Sequence, residues 1–94
     1  MMIVNTKTTP EGLILIVTDS DIINQKFEEG KKQLDLTNKF YQGEEKSKEE
    51  VKKLINDAHI LHLTGKEAVA LGKELNLVEN IITIKDIPHA EVLL

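Results

Sequence analysis

The spacing of apolar residues predicts four or five short strands. The segments 2–7 and 13–18 flank "TPEG", where Pro10 presets a turn and Gly12 tolerates a positive φ, so they predict a hairpin. The run "LILIV" at 13–17 is apolar at every position, which indicates a central strand covered on both faces. Alternation in "KQLDL" predicts another strand, and "NIITIK" and "HAEVLL" predict two more towards the end.

Helical spacing and capping residues predict two main helices in the second half. Ser47 and Glu50 fit a capping box, and the apolar stripe after them extends the first helix to about Leu61. Thr64 and Glu67 fit a second box, which begins a helix that Asn76 can end. The segment 19–30, "DSDIINQKFEEG", predicts a short extra helix with a cap at its start and Gly30 as its stop.

These elements predict one α+β domain over residues 1–94. We expect a small, antiparallel-dominated sheet with the two main helices packed on one face, together with the short extra helix. A chain of 94 residues is too short for two domains that each bury a useful core.

Composition excludes several classes of protein. The chain has no cysteine, so disulfides, thiolate zinc sites and cysteine nucleophiles are excluded. Its longest apolar run falls far short of the roughly 20 residues that a membrane helix needs, and we expect a cytoplasmic protein without membrane association. The net charge is −4 and all 12 cationic residues are lysines, and the lack of arginine counts against a specific reader of nucleic acid.

Known catalytic and cofactor motifs are missing from the sequence. There is no G-x-S-x-G, no phosphate-binding glycine loop and no dinucleotide fingerprint, and both serines are accounted for as helix caps. The three histidines, His59, His62 and His89, do not fit a metal-binding motif, and His62 is expected to complete the apolar stripe of the first helix. We therefore expect neither a metal nor a cofactor.

His89 is the strongest candidate for chemistry. It follows Pro88 at the start of the last predicted strand, where strand alternation places it on the same face as Glu91. A carboxylate at this distance raises the pKa of a histidine, so the two residues are candidates for an acid/base pair. The alternative is a structural ring that packs on one side and bonds to the backbone on an edge strand.

A second candidate site lies in the aperiodic segment "TNKFYQGEEK". Phe40 and Tyr41 are two of only three aromatic residues, and lysines lie on both sides of them. An exposed aromatic side chain among lysines can stack on single-stranded RNA. The alternative is a loop whose aromatic residues anchor it to the core.

The order of several short motifs resembles an archaeal family known as domain of unknown function 424. "FEEG" is followed by "FYQG", by a glycine between the predicted helices and by "IPHA" near the end, so the resemblance covers nearly the whole chain. It implies an archaeal cytosolic protein with one α+β domain, in a family without an established activity. The resemblance draws attention to Gly30, Phe40, Tyr41, Gly43, Gly65, Pro88, His89 and Ala90.

Two positions depart from that family's pattern. Glu91 stands where the family carries an amide after "PHA". "HLTG", which contains His62, stands where the family carries an asparagine before the glycine between the helices.

Three functions follow from these residues as expectations. We favour a non-catalytic binding or adaptor module that uses Phe40, Tyr41, Gly43 and His89, with RNA or a translation-related protein as the candidate partner. The first alternative is a small enzyme in which His89 and Glu91 act as acid and base. The second is a homodimer or interaction protein that pairs through its last strand, because "AEVLL" can form an open sheet edge.

Overall fold

The computed structural model describes the whole chain, residues 1–94, as eight strands, two α-helices and one 3₁₀ turn. The strands are β1 (Met2–Thr9), β2 (Gly12–Asp19), β3 (Lys26–Glu29), β4 (Lys32–Asp35), β5 (Glu44–Lys46), β6 (Ala58–Thr64), β7 (Ile82–Ile84) and β8 (Ile87–Leu93). The helices are α1 (Lys48–Ile55) and α2 (Lys66–Glu74), and the 3₁₀ turn is Lys39–Tyr41. Neither α-helix has the length and apolar character that a membrane crossing requires.

Six strands form a mixed sheet in the order β5-β1-β2-β6-β8-β7, and β3 and β4 form a separate antiparallel pair. Within the larger sheet β2 and β6 run parallel, and every other neighbouring pair is antiparallel. The predicted fold class was therefore wrong. The molecule is sheet-dominated, with 47% strand and 21% helix, and its strands are divided between a six-stranded mixed sheet and a two-stranded sheet.

Two mistaken helix predictions explain most of this error. The helix that starts at Ser47 ends at Ile55, and the "AHILHLT" segment forms β6 between β2 and β8. The segment after Asp19 makes a turn and then β3 instead of a short helix. Gly30 does adopt the left-handed conformation, with φ 60°, but it does so in the turn between β3 and β4.

Other local predictions were confirmed. Gly12 has φ 135° at the turn of the β1–β2 hairpin, and the Ser47–Glu50 capping box is present. Asn76 adopts φ 59° just after α2, as expected of a helix stop. The box predicted for Thr64 and Glu67 was wrong, because Gly65 caps α2 without a side-chain bond.

Asp19 replaces that predicted cap from a distant part of the chain. Its carboxylate oxygens accept hydrogen bonds from the backbone N–H groups of Glu67 (2.9 Å) and Ala68 (2.7 Å). These donors lie in the first turn of α2, where a carboxylate also interacts favourably with the helix dipole. The end of β2 therefore fixes the start of α2.

One face of the six-stranded sheet, which we call the core face, carries the main hydrophobic cluster. Alternate residues of four strands point to it: Met2, Val4, Leu15, Val17, Leu61, Leu63, Ala90 and Val92. The helices contribute Val51, Ile55, Ala68, Val69 and Leu71 to the same cluster. The other face is different, because the 3₁₀ turn lies over β1 and β2 there and two of the histidines lie on it.

Candidate functional site

The second face of the sheet, which we call the histidine face, brings polar residues from four strands together. The strand registers arrange its side chains in three rows: Lys7, Ile14, Ile60 and Leu93; Asn5, Ile16, His62 and Glu91; Ile3, Thr18, Thr64 and His89. Directly paired residues point to the same face of a sheet, so β7 adds Ile82 beside His89. Both His89 and Glu91 therefore lie on one face, as strand alternation predicted.

His89 is held by a buried hydroxyl. Its Nδ1 lies 2.7 Å from Oγ1 of Thr64, at a directly paired position of β6. Thr64 is fully buried, and so is Thr18, which lies next to it in the same row. The Thr18 hydroxyl has no hydrogen-bond partner. This row is therefore a polar layer inside the sheet, and it orients the His89 ring.

His62 is the imidazole that lies next to Glu91. Its Nδ1 is 4.0 Å from Oε2 of Glu91, and its side chain is 17% exposed while that of Glu91 is 57% exposed. The His62 and His89 ring centroids are 6.2 Å apart. The cluster of polar side chains is therefore His62, His89, Glu91 and Thr64, with Glu91 at its solvent side.

Burial determines the electrostatics of the two imidazoles. It lowers the pKa of His62 below the usual histidine value, and Glu91 offsets part of that effect. Burial also lowers the pKa of His89, and the nearby His62 lowers it further against the opposing effect of Glu91. Glu91 does act to raise the pKa of His89, as expected, but burial outweighs the carboxylate and the net shift of the pKa is downward. Both rings favour their neutral forms near neutral pH.

Phe40 connects the 3₁₀ turn to this cluster. Its ring makes edge-to-face contacts with Tyr41 and with His62, each at a centroid distance of 5.1 Å. The ammonium of Lys7 lies 5.0 Å from the Phe40 centroid, and the Asn5 side chain donates a 3.0 Å hydrogen bond to the Phe40 carbonyl. The aromatic and histidine candidates, which are almost 50 residues apart in sequence, thus form one site.

Tyr41 and Gly43 lie beside the cluster and shape the loop that carries Phe40. Tyr41 is partly buried, and burial raises the pKa of its hydroxyl, with a further contribution from Asp35. A side chain at Gly43 would collide with the backbone of Val4, so this glycine lets the loop pass close to β1. Close packing against β1 therefore requires glycine at position 43.

The remaining candidates do not meet at this site. His59 is exposed and lies at a register shift in the pairing of β6 with β2, where Ala58 is paired with Leu13 and Ile60 with Ile14. No group of three histidine or acidic side chains is close enough to hold a metal ion. One concave region of the surface runs along the outer side of β8 and includes Glu91 of the cluster; it is lined by Leu77, Glu79, Asn80, Glu91, Val92 and Leu93.

Sequence reasoning missed the role of His62. We placed it on a helix, where it would have completed an apolar stripe. The signal that could have found it is the alternation in "HILHLT", in which Leu61 and Leu63 share one face while His62 and Thr64 share the other.

Comparison with known proteins supports the predicted resemblance. A search of curated proteins found no match. Among solved structures, an uncharacterized conserved protein from Methanopyrus kandleri is similar, with a TM-score of 0.78 and 15% identity over 98% of this chain and 91% of that one. At this identity the likeness shows a shared fold. Residues 6–94 match the family described as "Protein of unknown function (DUF424)", and the chain therefore belongs to that family.

Proposed function

We propose that the protein is a binding module whose partner contacts the histidine face around β7 and β8. One observation carries this proposal. Of the five large hydrophobic residues that are exposed, four lie in or beside these two strands: Ile81, Ile82, Leu93 and Leu94. Two of the four, Ile82 and Leu93, are placed on the histidine face by their strand pairing, and exposed apolar residues on one face are typical of a surface that another molecule covers.

The polar cluster would give this surface its specificity. Ile82 is 56% exposed and lies beside His89, while Leu93 is 76% exposed at the other end of β8 on the same face. Glu91 lies between them in sequence, with His62 behind it. Apolar contacts would supply affinity at both ends, and the carboxylate with its neighbouring imidazoles would select a complementary polar group.

The surroundings of Phe40 favour a protein partner over RNA. Tyr41, His62 and Lys7 already contact its ring, so it is not a free platform on which a base could stack. The net charge of −4 also opposes a polyanion. Association with RNA or the translation machinery stays a prediction, and so does a cytoplasmic location.

Two matched variants on β7 test the proposal. Ile82 and Thr83 are adjacent, both are exposed, and strand alternation points them to opposite faces. We would immobilise the wild type, Ile82→Lys and Thr83→Lys and pass native cell extract over each, with and without RNase. We expect the wild type and Thr83→Lys to retain a protein from the extract that Ile82→Lys does not retain. RNase treatment should not release this protein.

Two results would contradict this. Equal recovery by all three forms would mean that the face is not the binding surface. Loss of the partner on RNase treatment would assign the interaction to RNA. The enzyme alternative stays a prediction, in which His89 would have to act while its Nδ1 is bonded to Thr64.

A further inference from the structure

The second half of β8 has an open backbone edge. β7 pairs only with Ile87–His89 of β8, so beyond that point β8 has β6 on one side and no strand on the other. The Leu94 N–H donates to the His59 carbonyl across the β6 side, and the Gly65 N–H donates to the Pro88 carbonyl there. Backbone direction alternates along an antiparallel ladder, so the N–H and C=O groups of Glu91 and Leu93 point outward.

This edge has only part of the protection that exposed strands usually have, namely the charge of Glu91 and the nearby segment that contains Leu77, Glu79 and Asn80. There is no lysine or proline after Pro88, and the pairing of residues 89–93 with β6 is continuous, without a bulge. A groove runs beside it, walled by Leu77, Glu79 and Asn80 opposite Glu91, Val92 and Leu93. The exposed backbone is thus accessible to an added strand.

We propose that this edge pairs with the same edge of a second copy of the chain, antiparallel about a twofold axis at Val92. In this register Glu91 of each copy faces Leu93 of the other. The four outward backbone groups of each copy then all find partners, giving four hydrogen bonds between the copies. Such a contact is isologous, because both copies contribute the same residues.

The charges and the existing pairing select this register. An axis at Glu91 would place two carboxylates directly opposite each other, which is unfavourable, and would require His89 to pair outward although β7 already occupies that side. An axis at Val92 avoids both problems. The resulting dimer joins the two sheets edge to edge and places an apolar residue of the second copy beside Glu91, next to His62.

Two charged variants at Leu93 test the register. Leu93→Lys places a cation opposite Glu91 of the second copy, whereas Leu93→Glu places a carboxylate there. Because the dimer is symmetric, each of these pairs of charges occurs twice. We expect a dimer dissociation constant at least about tenfold higher for Leu93→Glu than for Leu93→Lys, measured by sedimentation equilibrium at low salt. Equal constants for the two variants would overturn the register.

A proline variant tests the backbone pairing. The Leu93 N–H points away from β6, so Leu93→Pro removes an intermolecular donor while leaving the pairing with β6 intact. We expect this variant to be monomeric with a wild-type circular dichroism spectrum, and Thr83→Lys to dimerise like the wild type. The proposal is overturned by a wild-type protein that stays monomeric up to about 1 mM, or by a folded Leu93→Pro variant that still dimerises. Ile82 lies outside the paired segment, so these results are separable from those of the partner test.

Discussion

At the scale of single residues, His89 has both a structural contact and an accessible position. Its Nδ1 is bonded to the buried Thr64 hydroxyl, and its neighbour in the next strand is the exposed Ile82. A substitution of His89 that keeps a hydrogen-bonding group should therefore preserve the fold while changing the side chain that the histidine face offers to a partner. That separation makes the role of the ring testable.

We expect His89→Gln to melt close to the wild type, because its amide can still bond to Thr64. His89→Ala should lose about 1–3 kcal/mol, since it leaves the buried Thr64 hydroxyl unpaired. Both variants should retain less partner than the wild type in the extract experiment. If His89→Gln melts as early as His89→Ala, or recovers the partner at full yield, then His89 has a structural role only.

The same burial predicts how stability depends on pH. The pKa values of His62 and His89 are lowered in the folded protein, so the unfolded chain binds more protons below the usual histidine pKa of about 6.5. The free energy of unfolding should therefore fall as the pH decreases from about 7.5 to about 5.5. Urea titrations at the two pH values measure this fall.

The double variant His62→Gln, His89→Gln is the control for this pH effect. It should show a smaller fall over the same interval, because neither side chain can titrate. The pKa of Asp19 is raised by burial, so its protonation acts in the opposite direction and cannot produce the fall. If the free energy of unfolding of the double variant falls as much as that of the wild type, then groups other than these two histidines cause the pH dependence.

At the scale of elements, the start of α1 depends on its capping box. The Ser47 hydroxyl accepts from the Glu50 N–H at 3.3 Å, and the Glu50 carboxylate accepts from the Ser47 N–H at 3.1 Å. Ser47→Ala removes the first of these bonds and should cost about 1 kcal/mol of stability while leaving partner binding intact. Thermal melting measures the cost, and an unchanged midpoint would show that the cap contributes nothing.

Gly72 allows α2 to pack closely against β6. A Cβ at this position would lie 2.5 Å from Leu63 Cδ1 and 2.6 Å from Val78 Cγ2. The repacking cost of about 1–3 kcal/mol should exceed the gain of about 1 kcal/mol in helix propensity, so Gly72→Ala should destabilise the protein. Lys73→Ala, at the next and exposed position, should be nearly neutral. A higher urea midpoint for Gly72→Ala would refute close packing at this site.

Elements that are determined by a few neighbouring residues could be predicted from the sequence. The β1–β2 turn and the box at Ser47 are local, and both were confirmed. β6 could not be predicted in this way, because it is a strand through its pairing with β2 and β8, more than 20 residues away. The site follows the same pattern: alternation placed His89 and Glu91 on one face, but only the register shows that Thr64 and His62 are their partners.

At the scale of the whole molecule, a few contacts between distant segments hold the two halves of the chain in place. Asp19 caps α2 from the end of β2, and the Gly65 N–H bonds to the Pro88 carbonyl at the start of β8. A side chain at Gly65 would collide with the Asp19 carboxyl group. Gly65, which connects β6 to α2, therefore lies between the end of β2, which carries Asp19, and the start of β8, which carries Pro88.

The Asp19 carboxylate is the only side chain that caps α2. Asp19→Asn keeps the size of the side chain but replaces one acceptor oxygen with an N–H₂ group that would face a backbone N–H. We expect a loss of about 1–2 kcal/mol in urea unfolding. Asp21→Asn is the matched control, since Asp21 is exposed and should show almost no change. Because the cap joins segments 48 residues apart, the loss should also appear as faster amide hydrogen exchange in both α2 and the end of β2. If exchange rises in α2 alone, Asp19 serves only as a local cap and does not couple the two halves.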